Sequence, residues 1–321
     1  MLVPSTPLLW TIACLFAVLT VGTIVRIAML GGVVNSSAQS HLNSSKTWWA
    51  LASSLAIASI LGEAGVVVLL AIAGILSLRE YLQLVGWRTV GSPTAVIVFA
   101  SVPIYYAIAL YGYDQVLLST APLAFLLVLG AMRAWLGLIE DFIRTTAAMI
   151  LGLMLFVYCL SHAYFLLTLH ASTQPWVGNV GWFLYLVILT ETNDIAQALV
   201  GRRIGKTKIT PRVSPNKSLE GLLGGIVITV TLAVLLAPSL TTLMHEQSRA
   251  AGIVLAMLAG LLIALSGFLG DINKSGIKRD VGVKDSGTIL PGQGGMMDRI
   301  DSLTFSAPVF YYFVRTILTE I

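Results

Sequence analysis

The chain has 321 residues, of which 57% are hydrophobic and 11% charged, with a formal net charge of +4 and a mean hydropathy of +0.89. Soluble domains carry about 25% charged residues, so an ordinary soluble protein is excluded. Apolar runs of roughly 20 residues recur along the length, which marks an all-α, polytopic integral membrane protein.

The first predicted span is Leu8 to Leu30, without a convincing small-residue cleavage site. A polar loop runs through Asn35, Ser40 and Ser44 to Lys46. The block Trp48 to Leu78 is longer than a single crossing of roughly 20 residues, and Glu63 sits in its middle beside Gly62. It reads as a tilted or broken helix, or as an interfacial piece leading into a span. A carboxylate within a span is a functional candidate; at a helix break near the interface it is an ordinary residue. Arg79 and Glu80 end the block. Spans follow at Pro93 to Tyr111 and Leu117 to Trp135, then the charged loop of Glu140, Asp141 and Arg144, then Thr146 to Leu169. His162 and His170 fall in or at the end of that span and read as packing or interfacial residues. Cys14 and Cys159 lie in apolar runs and read as small buried hydrophobes.

The sixth span, Trp182 to Leu199, carries the cluster Thr190, Glu191 and Asp194, whose spacing puts them on one helical side. The stretch Gly201 to Glu220 holds Arg202, Arg203, Lys206, Lys208, Arg212 and Lys217 before any acid. Spans at Gly221 to Leu236 and Gly252 to Leu269 flank a loop with His245, Glu246 and Arg249. The polar stretch Gly270 to Ser302 precedes a last span, Phe305 to Ile317. The total is about nine spans. Lysine and arginine gather in the even-numbered loops, which predicts that these face the cytoplasm. No nucleic-acid motif is present. The organisation expected is an N-terminal set of membrane helices over residues 1–170 and a catalytic membrane region over residues 171–321, with its cytoplasmic loops at 201–220 and 270–302.

Those two loops carry the chemistry. In the first, glycines let backbone approach a phosphate closely and the bases supply charge. The spacing of Gly201 to Ile209 is not that of a P-loop. Ser218 or Asn216 suits an N-cap, with Glu220 in the first turn beyond. A topogenic basic loop touching lipid head groups is the alternative reading. In the second, Asp271, Asp298 and Asp301 are hard oxygen donors near helix ends, suited to Mg²⁺. Lys274, Lys278, Arg279, Lys284 and Arg299 balance phosphate charge around them, and Pro291 with its neighbouring glycines permits a tight turn between Asp285 and Asp298. Together the loops predict phosphoryl or nucleotidyl transfer onto a lipid, in a polar cavity at the cytoplasmic side.

These residues resemble the phosphatidate cytidylyltransferases. That family's C-terminal signature is matched by Ser275, Lys278, Arg279, Lys284, Asp285, Gly287, Pro291, Gly292, Gly294, Gly295, Asp298, Arg299 and Asp301. Its upstream segment is matched by Asp194, Gly201, Arg202, Gly205, Lys206, Pro211, Ser214, Pro215, Lys217, Ser218, Glu220 and Gly221. The resemblance implies conversion of CTP and phosphatidate to CDP-diacylglycerol and pyrophosphate with Mg²⁺, an associated monovalent cation such as K⁺, and a dimeric assembly. It implies that Asp271, Asp298 and Asp301 are metal ligands, and that Lys217, Arg279, Lys284 and Arg299 contact phosphate, with Ser214 helping to hold substrate. The catalytic candidates are thus Asp271, Lys284, Asp285, Asp298, Arg299 and Asp301; the substrate-binding candidates are Arg202, Lys206, Ser214, Lys217, Glu220, Lys278 and Arg279. Two positions depart from the pattern. Gln293 stands where the family usually has histidine, and Gln197 and Ala198 replace an Ala-Tyr pair. A CTP-dependent lipid kinase acting on a polyprenol- or phytol-type alcohol, and a non-enzymatic transporter, are the competing readings.

Overall fold

The computed structural model describes residues 5–30, 36–86, 92–169, 175–244, 248–283, 286–287 and 289–319. Its helices are α1 (Thr6–Leu30), α2 (Ser36–Ile60), α3 (Gly62–Leu84), α4 (Ser92–Leu110), α5 (Asp114–Trp135), α6 (Phe142–Phe165), α7 (Val180–Ile204), α8 (Leu219–Leu240), α9 (Arg249–Asp280) and α10 (Met297–Thr319). Between α7 and α8 a short antiparallel hairpin pairs β1 (Lys208–Thr210) with β2 (Ser214–Ser218), in the register Lys208 to Ser218 and Thr210 to Ser214.

The long block Trp48 to Leu78 is two helices. The break falls at Gly62, whose φ of +65° lies in the left-handed region that a side chain disfavours. Glu63 is exposed in the first turn of α3, beside the positive end of the helix dipole, and is the helix-break residue. Beyond the break, α3 runs on to Leu84, so Glu80 lies inside the helix and not after it. Eight described helices are long and apolar enough to cross a membrane: α1 and α3 to α9. The ninth expected, Phe305 to Ile317, belongs to α10, which begins with Asp298, Arg299 and Asp301 and carries Arg315 near its end.

Helix α1 is apolar all round and scarcely buried; Trp10, Val18 and Val21 are exposed, as suits a lipid-facing helix. It packs on α2 through stacked Phe16 and Trp49, with ring centroids 5.6 Å apart, and the Trp49 indole donates to Thr23 Oγ1 at 3.2 Å. Helix α6 contains a π-helical turn at Met154–Cys159. One turn on, His162 is fully buried among Tyr158, Phe165, Tyr311 and Tyr312, with Nδ1 2.8 Å from the Tyr158 carbonyl; it packs, as expected. His170 and His245 lie outside the described residues.

Helices α7 to α10 form the part that positions the charges. Polar side chains tie them together inside the apolar layer, where hydrogen bonds between helices have no competition from bulk water. Asn193 of α7 donates to the Ala264 carbonyl of α9 at 3.2 Å and accepts from Thr229 of α8 at 3.3 Å; Thr190 of α7 and Ser306 of α10 lie 3.0 Å apart. Helices α9 and α10 touch at Gly270, where a Cβ would meet the Asp301 carbonyl oxygen and lie 3.1 Å from Ser302 Cα. This contact sets Asp271 beside Asp301.

The polar stretch from Gly270 is therefore half helix. The expected span ends at Leu269, but α9 continues to Asp280. Asp271, Lys274 and Lys278 recur at helical spacing, so their charges share one face and the helix continues beyond the apolar segment.

Candidate active site

The site is built at the end of α9 and the start of α10, and Lys274 is its hub. Its ammonium lies 3.4 Å from Asp271 Oδ1 and 3.6 Å from Asp298 Oδ1, and it pairs closely with Asp301 Oδ2. Two further lysines close the cluster. Lys217, from β2, is 2.6 Å from Asp271 Oδ2, and Lys278 is 2.9 Å from Asp298 Oδ1. Three carboxylates and three ammonium groups thus form one network. It is largely withdrawn from solvent: the side chains of Asp298 and Asp301 are 10% and 6% exposed. In such a setting charge pairs are screened far less than at a surface.

The loop before α10 is held on this network. Asp298 Oδ2 accepts from the Ser286 hydroxyl at 2.7 Å and from the amides of Ser286 and Gly295 at 3.3 and 3.2 Å. Burial works against ionisation of Asp298, but Lys274, the Ser286 hydroxyl and Lys278 outweigh it and hold the carboxyl at about 2, below the usual carboxylate range. On the other side of the loop, the Glu80 carboxylate of α3 accepts the amides of Met296 and Met297 at 3.0 and 2.8 Å.

The basic loop divides in two. Lys217 points into the cluster, steadied by Gln197 Oε1 at 3.3 Å and lying over the Phe268 ring at 5.7 Å. Ser214 is half-buried in β2. Arg202 and Lys206 are exposed and make no ion pair with the clustered acids. Ser218 caps α8 by accepting the Gly221 amide at 3.2 Å. Glu220 accepts the amides of Lys206 and Thr207 and the Thr207 hydroxyl, so its carboxylate fastens the loop as well as receiving its own first-turn amide. Arg279 is exposed and donates to the carbonyls of Val213 and Val283 at 3.2 and 3.3 Å, which ties the hairpin to the end of α9. Lys284 and Asp285 lie outside the described residues.

Both departures from the resemblance have partners. Gln197, in place of alanine, orients Lys217. Gln293 donates through Nε2 to the Ser44 carbonyl at 2.8 Å and to its hydroxyl at 3.2 Å, while Thr47 donates to the Pro291 carbonyl at 2.8 Å. The turn therefore docks on α2, through a side chain that does not titrate near neutrality.

Sequence reasoning missed Glu80 and treated Lys274 as one base among many. The site also draws Ser44, Thr47 and Glu80 from the first half of the chain. Helical spacing from Asp271 to Lys274 is the signal for the hub. For Glu80, a carboxylate in an apolar helix is the signal.

The donor set is of the right chemistry for a hard cation, since three carboxylates lie in one network. Among the described residues, no three His, Cys, Asp or Glu side chains surround a common metal position; an ammonium stands at the centre instead. Buried polar atoms nearby have no hydrogen-bond partner among the described residues: Asp194 Oδ1, Gln197 Nε2, Arg299 Nε and Ser302 Oγ. Such orphans are expected where a polar ligand or water completes the bonding. Asp271, Asp298 and Asp301 fit the ion in the kind of donor they offer, while the Lys274 ammonium holds the position among them.

Fold and site define an integral membrane protein with a charged network at helix ends. A model of the cytidylyltransferase family matches residues 44–317, which leaves α1 outside the match. The chain belongs to the cytidylyltransferase family, and with it to the transferases. It is 37% identical over 305 residues to the uncharacterized protein YnbB of Escherichia coli K12, covering 95% of this chain and 97% of that one. It is 37% identical over 149 residues to a phosphatidate cytidylyltransferase of Haemophilus influenzae, covering 46% of this chain and 50% of that one. With the enzyme of the same name from Synechocystis the identity is 42% over 125 residues, covering 39% and 40%. The chain matches half or less of the length of these two named relatives.

Proposed function

We propose that the protein transfers CMP from CTP to phosphatidate at the cytoplasmic side of the membrane, giving CDP-diacylglycerol and pyrophosphate. The observation that carries this is the convergence of Asp271, Asp298 and Asp301 with Lys217, Lys274 and Lys278 at the junction of α9 and α10. The two named relatives' substrate supports the choice of phosphatidate. In the reaction a phosphate oxygen of the lipid attacks the α-phosphorus of CTP. A new P–O–P linkage forms, the bond to the β-phosphate oxygen breaks, and pyrophosphate leaves with the electron pair. The attacking anion needs no strong general base, which accords with the absence of a Ser-His or Cys-His pair in the motifs.

Asp271, Asp298 and Asp301 would hold a divalent ion, Mg²⁺ in this reading, which supplies charge neutralisation on the nucleotide phosphates. Lys217, Lys274 and Lys278 supply the positive charge beside these carboxylates that would neutralise the substrate phosphates. Arg299, with its unpaired Nε, is a further donor to phosphate. Lys284, Asp285, Arg202, Lys206, Ser214 and Arg279 remain candidates from the motifs, and Glu220 acts by fastening the loop that carries Lys217.

The test is radiolabelled CTP with purified protein and a panel of phosphatidate and polyprenols. The expected products are CDP-lipid and pyrophosphate. Lipid phosphate with CDP would show a kinase, and no Mg²⁺-dependent turnover would overturn the enzyme reading. Asp298→Asn is expected to lower turnover by about 10²-fold or more, the scale for losing a group that stabilises transition-state charge; near-normal activity at limiting Mg²⁺ counts against the metal assignment.

A further inference from the structure

The mechanism above gives the Glu80 carboxylate no role. Glu80 is 1% exposed, inside a predominantly apolar helix, and has no lysine or arginine ion-paired to it among the described residues. An ionised carboxylate in such a place is costly unless hydrogen bonds replace its water. Those bonds come from the start of α10. Oε1 accepts the Met296 amide at 3.0 Å and Oε2 the Met297 amide at 2.8 Å. These are donors that a helix N-terminus leaves without partners of its own, and the helix dipole favours negative charge there.

The loop is shaped to admit this side chain. A Cβ on Gly287 would lie 2.8 Å from Glu80 Oε1, and one on Gly295 would meet Glu80 Oε2. Asp298 grips the same loop from inside, through the amides of Ser286 and Gly295. One residue beyond the amides held by Glu80 comes Asp298, and three further on comes Asp301, both paired to Lys274. The position and rotation of the first turn of α10 set where these carboxylates point.

We propose that Glu80 is a positioning residue: it caps α10 from α3 and thereby fixes where Asp298 and Asp301 point in the network around Lys274. The reaction itself rests on the proposed function, so the experiment separates the two. Wild-type, Glu80→Gln and Glu80→Ala proteins, full length in nanodiscs, are compared for kcat and KM with CTP and phosphatidate, for unfolding temperature, and for amide exchange over residues 295–298. A glutamine keeps the shape and one acceptor but turns an NH₂ toward the second amide. The expected result is a kcat lower by about tenfold in Glu80→Gln and about 10²-fold in Glu80→Ala, the scale for an ångström-sized misplacement. KM for CTP should stay within about threefold, since the basic groups that hold phosphate are untouched. Exchange at Met296 and Met297 should rise in Glu80→Gln while its unfolding temperature stays near wild type.

A kcat for Glu80→Ala close to wild type overturns the proposal. So does a fall of kcat that only follows the unfolding temperature, with Glu80→Gln no better than Glu80→Ala. If Glu80→Ala does not fold, Glu80→Gln decides by the same criteria. A wild type that makes no CDP-lipid would sink the proposed reaction alone. Amide exchange then still decides: faster exchange at Met296 and Met297 supports the cap, and unchanged exchange refutes it.

Discussion

Lys274→Met puts the site to a direct test. The ammonium of Lys274 lies 3.4 Å from Asp271, 3.6 Å from Asp298 and in close contact with Asp301. At an effective dielectric of about 20, each such pair is worth about 5 kcal/mol before other terms. Repulsion among the three carboxylates and the desolvation of all four groups cancel most of that sum. What remains is the cost of leaving buried carboxylates short of a partner, about 3–5 kcal/mol. For a chain of this size the loss corresponds to a fall in unfolding temperature of roughly 10 °C. The assay is tryptophan fluorescence during heating, first in EDTA and then in excess Mg²⁺. In EDTA the variant should melt well below wild type. Mg²⁺ should restore most of the difference, because an ion that binds only the folded site stabilises by mass action. Wild type should gain less, since its ammonium competes for the same oxygens. Equal melting of both proteins in EDTA would refute the hub. A variant that melts early and ignores Mg²⁺ would refute the reading of these carboxylates as an ion site.

Gly270→Ala should separate α9 from α10, because its Cβ would meet the Asp301 carbonyl; overpacking costs about 1–3 kcal/mol, and transfer activity should fall more than with an alanine at Gly276, where nothing lies within 4 Å. Gln293→Ala removes the bond to Ser44 and should loosen the turn from α2, read as faster amide exchange over residues 290–295; Gln293→His should leave the pH profile near neutrality unchanged if the position only docks the turn. For Asp298 the folded carboxyl titrates at about 2, below the usual value of about 3.9. Its ionised form therefore contributes stability above about pH 4 that is lost as pH falls toward 2. The difference in unfolding temperature between wild type and Asp298→Asn should be constant from pH 8 to 5 and narrow only below about pH 4.

Local patterns were legible and long-range pairings were not. Apolar runs placed the spans because a bilayer imposes a length on each helix. The residues Asp271, Asp298 and Asp301 were singled out from charge in a greasy chain, and the structure gathers them at Lys274. Yet Lys274, Lys278, Arg279 and Lys284 look alike as a string of bases. Only the continuation of α9 past Leu269 gives Lys274 the central position, and α9 meets α10 there at Gly270. Glu80 and Met297 are 217 residues apart, and nothing in the local sequence of either predicts the other. The glycines between Ser286 and Met296 read in sequence as permission for a tight turn. In the fold Gly294, at φ +86°, serves that purpose, whereas Gly287 and Gly295 also make room for a carboxylate from another helix. A glycine needed for space leaves the same mark in sequence as one needed for backbone freedom, and the two are told apart only when the neighbour that fills the space is known. The same reasoning separates the two glutamines from the histidine and alanine that the resemblance leads one to expect: each is explained by a partner on a different helix or strand, Ser44 for Gln293 and Lys217 for Gln197.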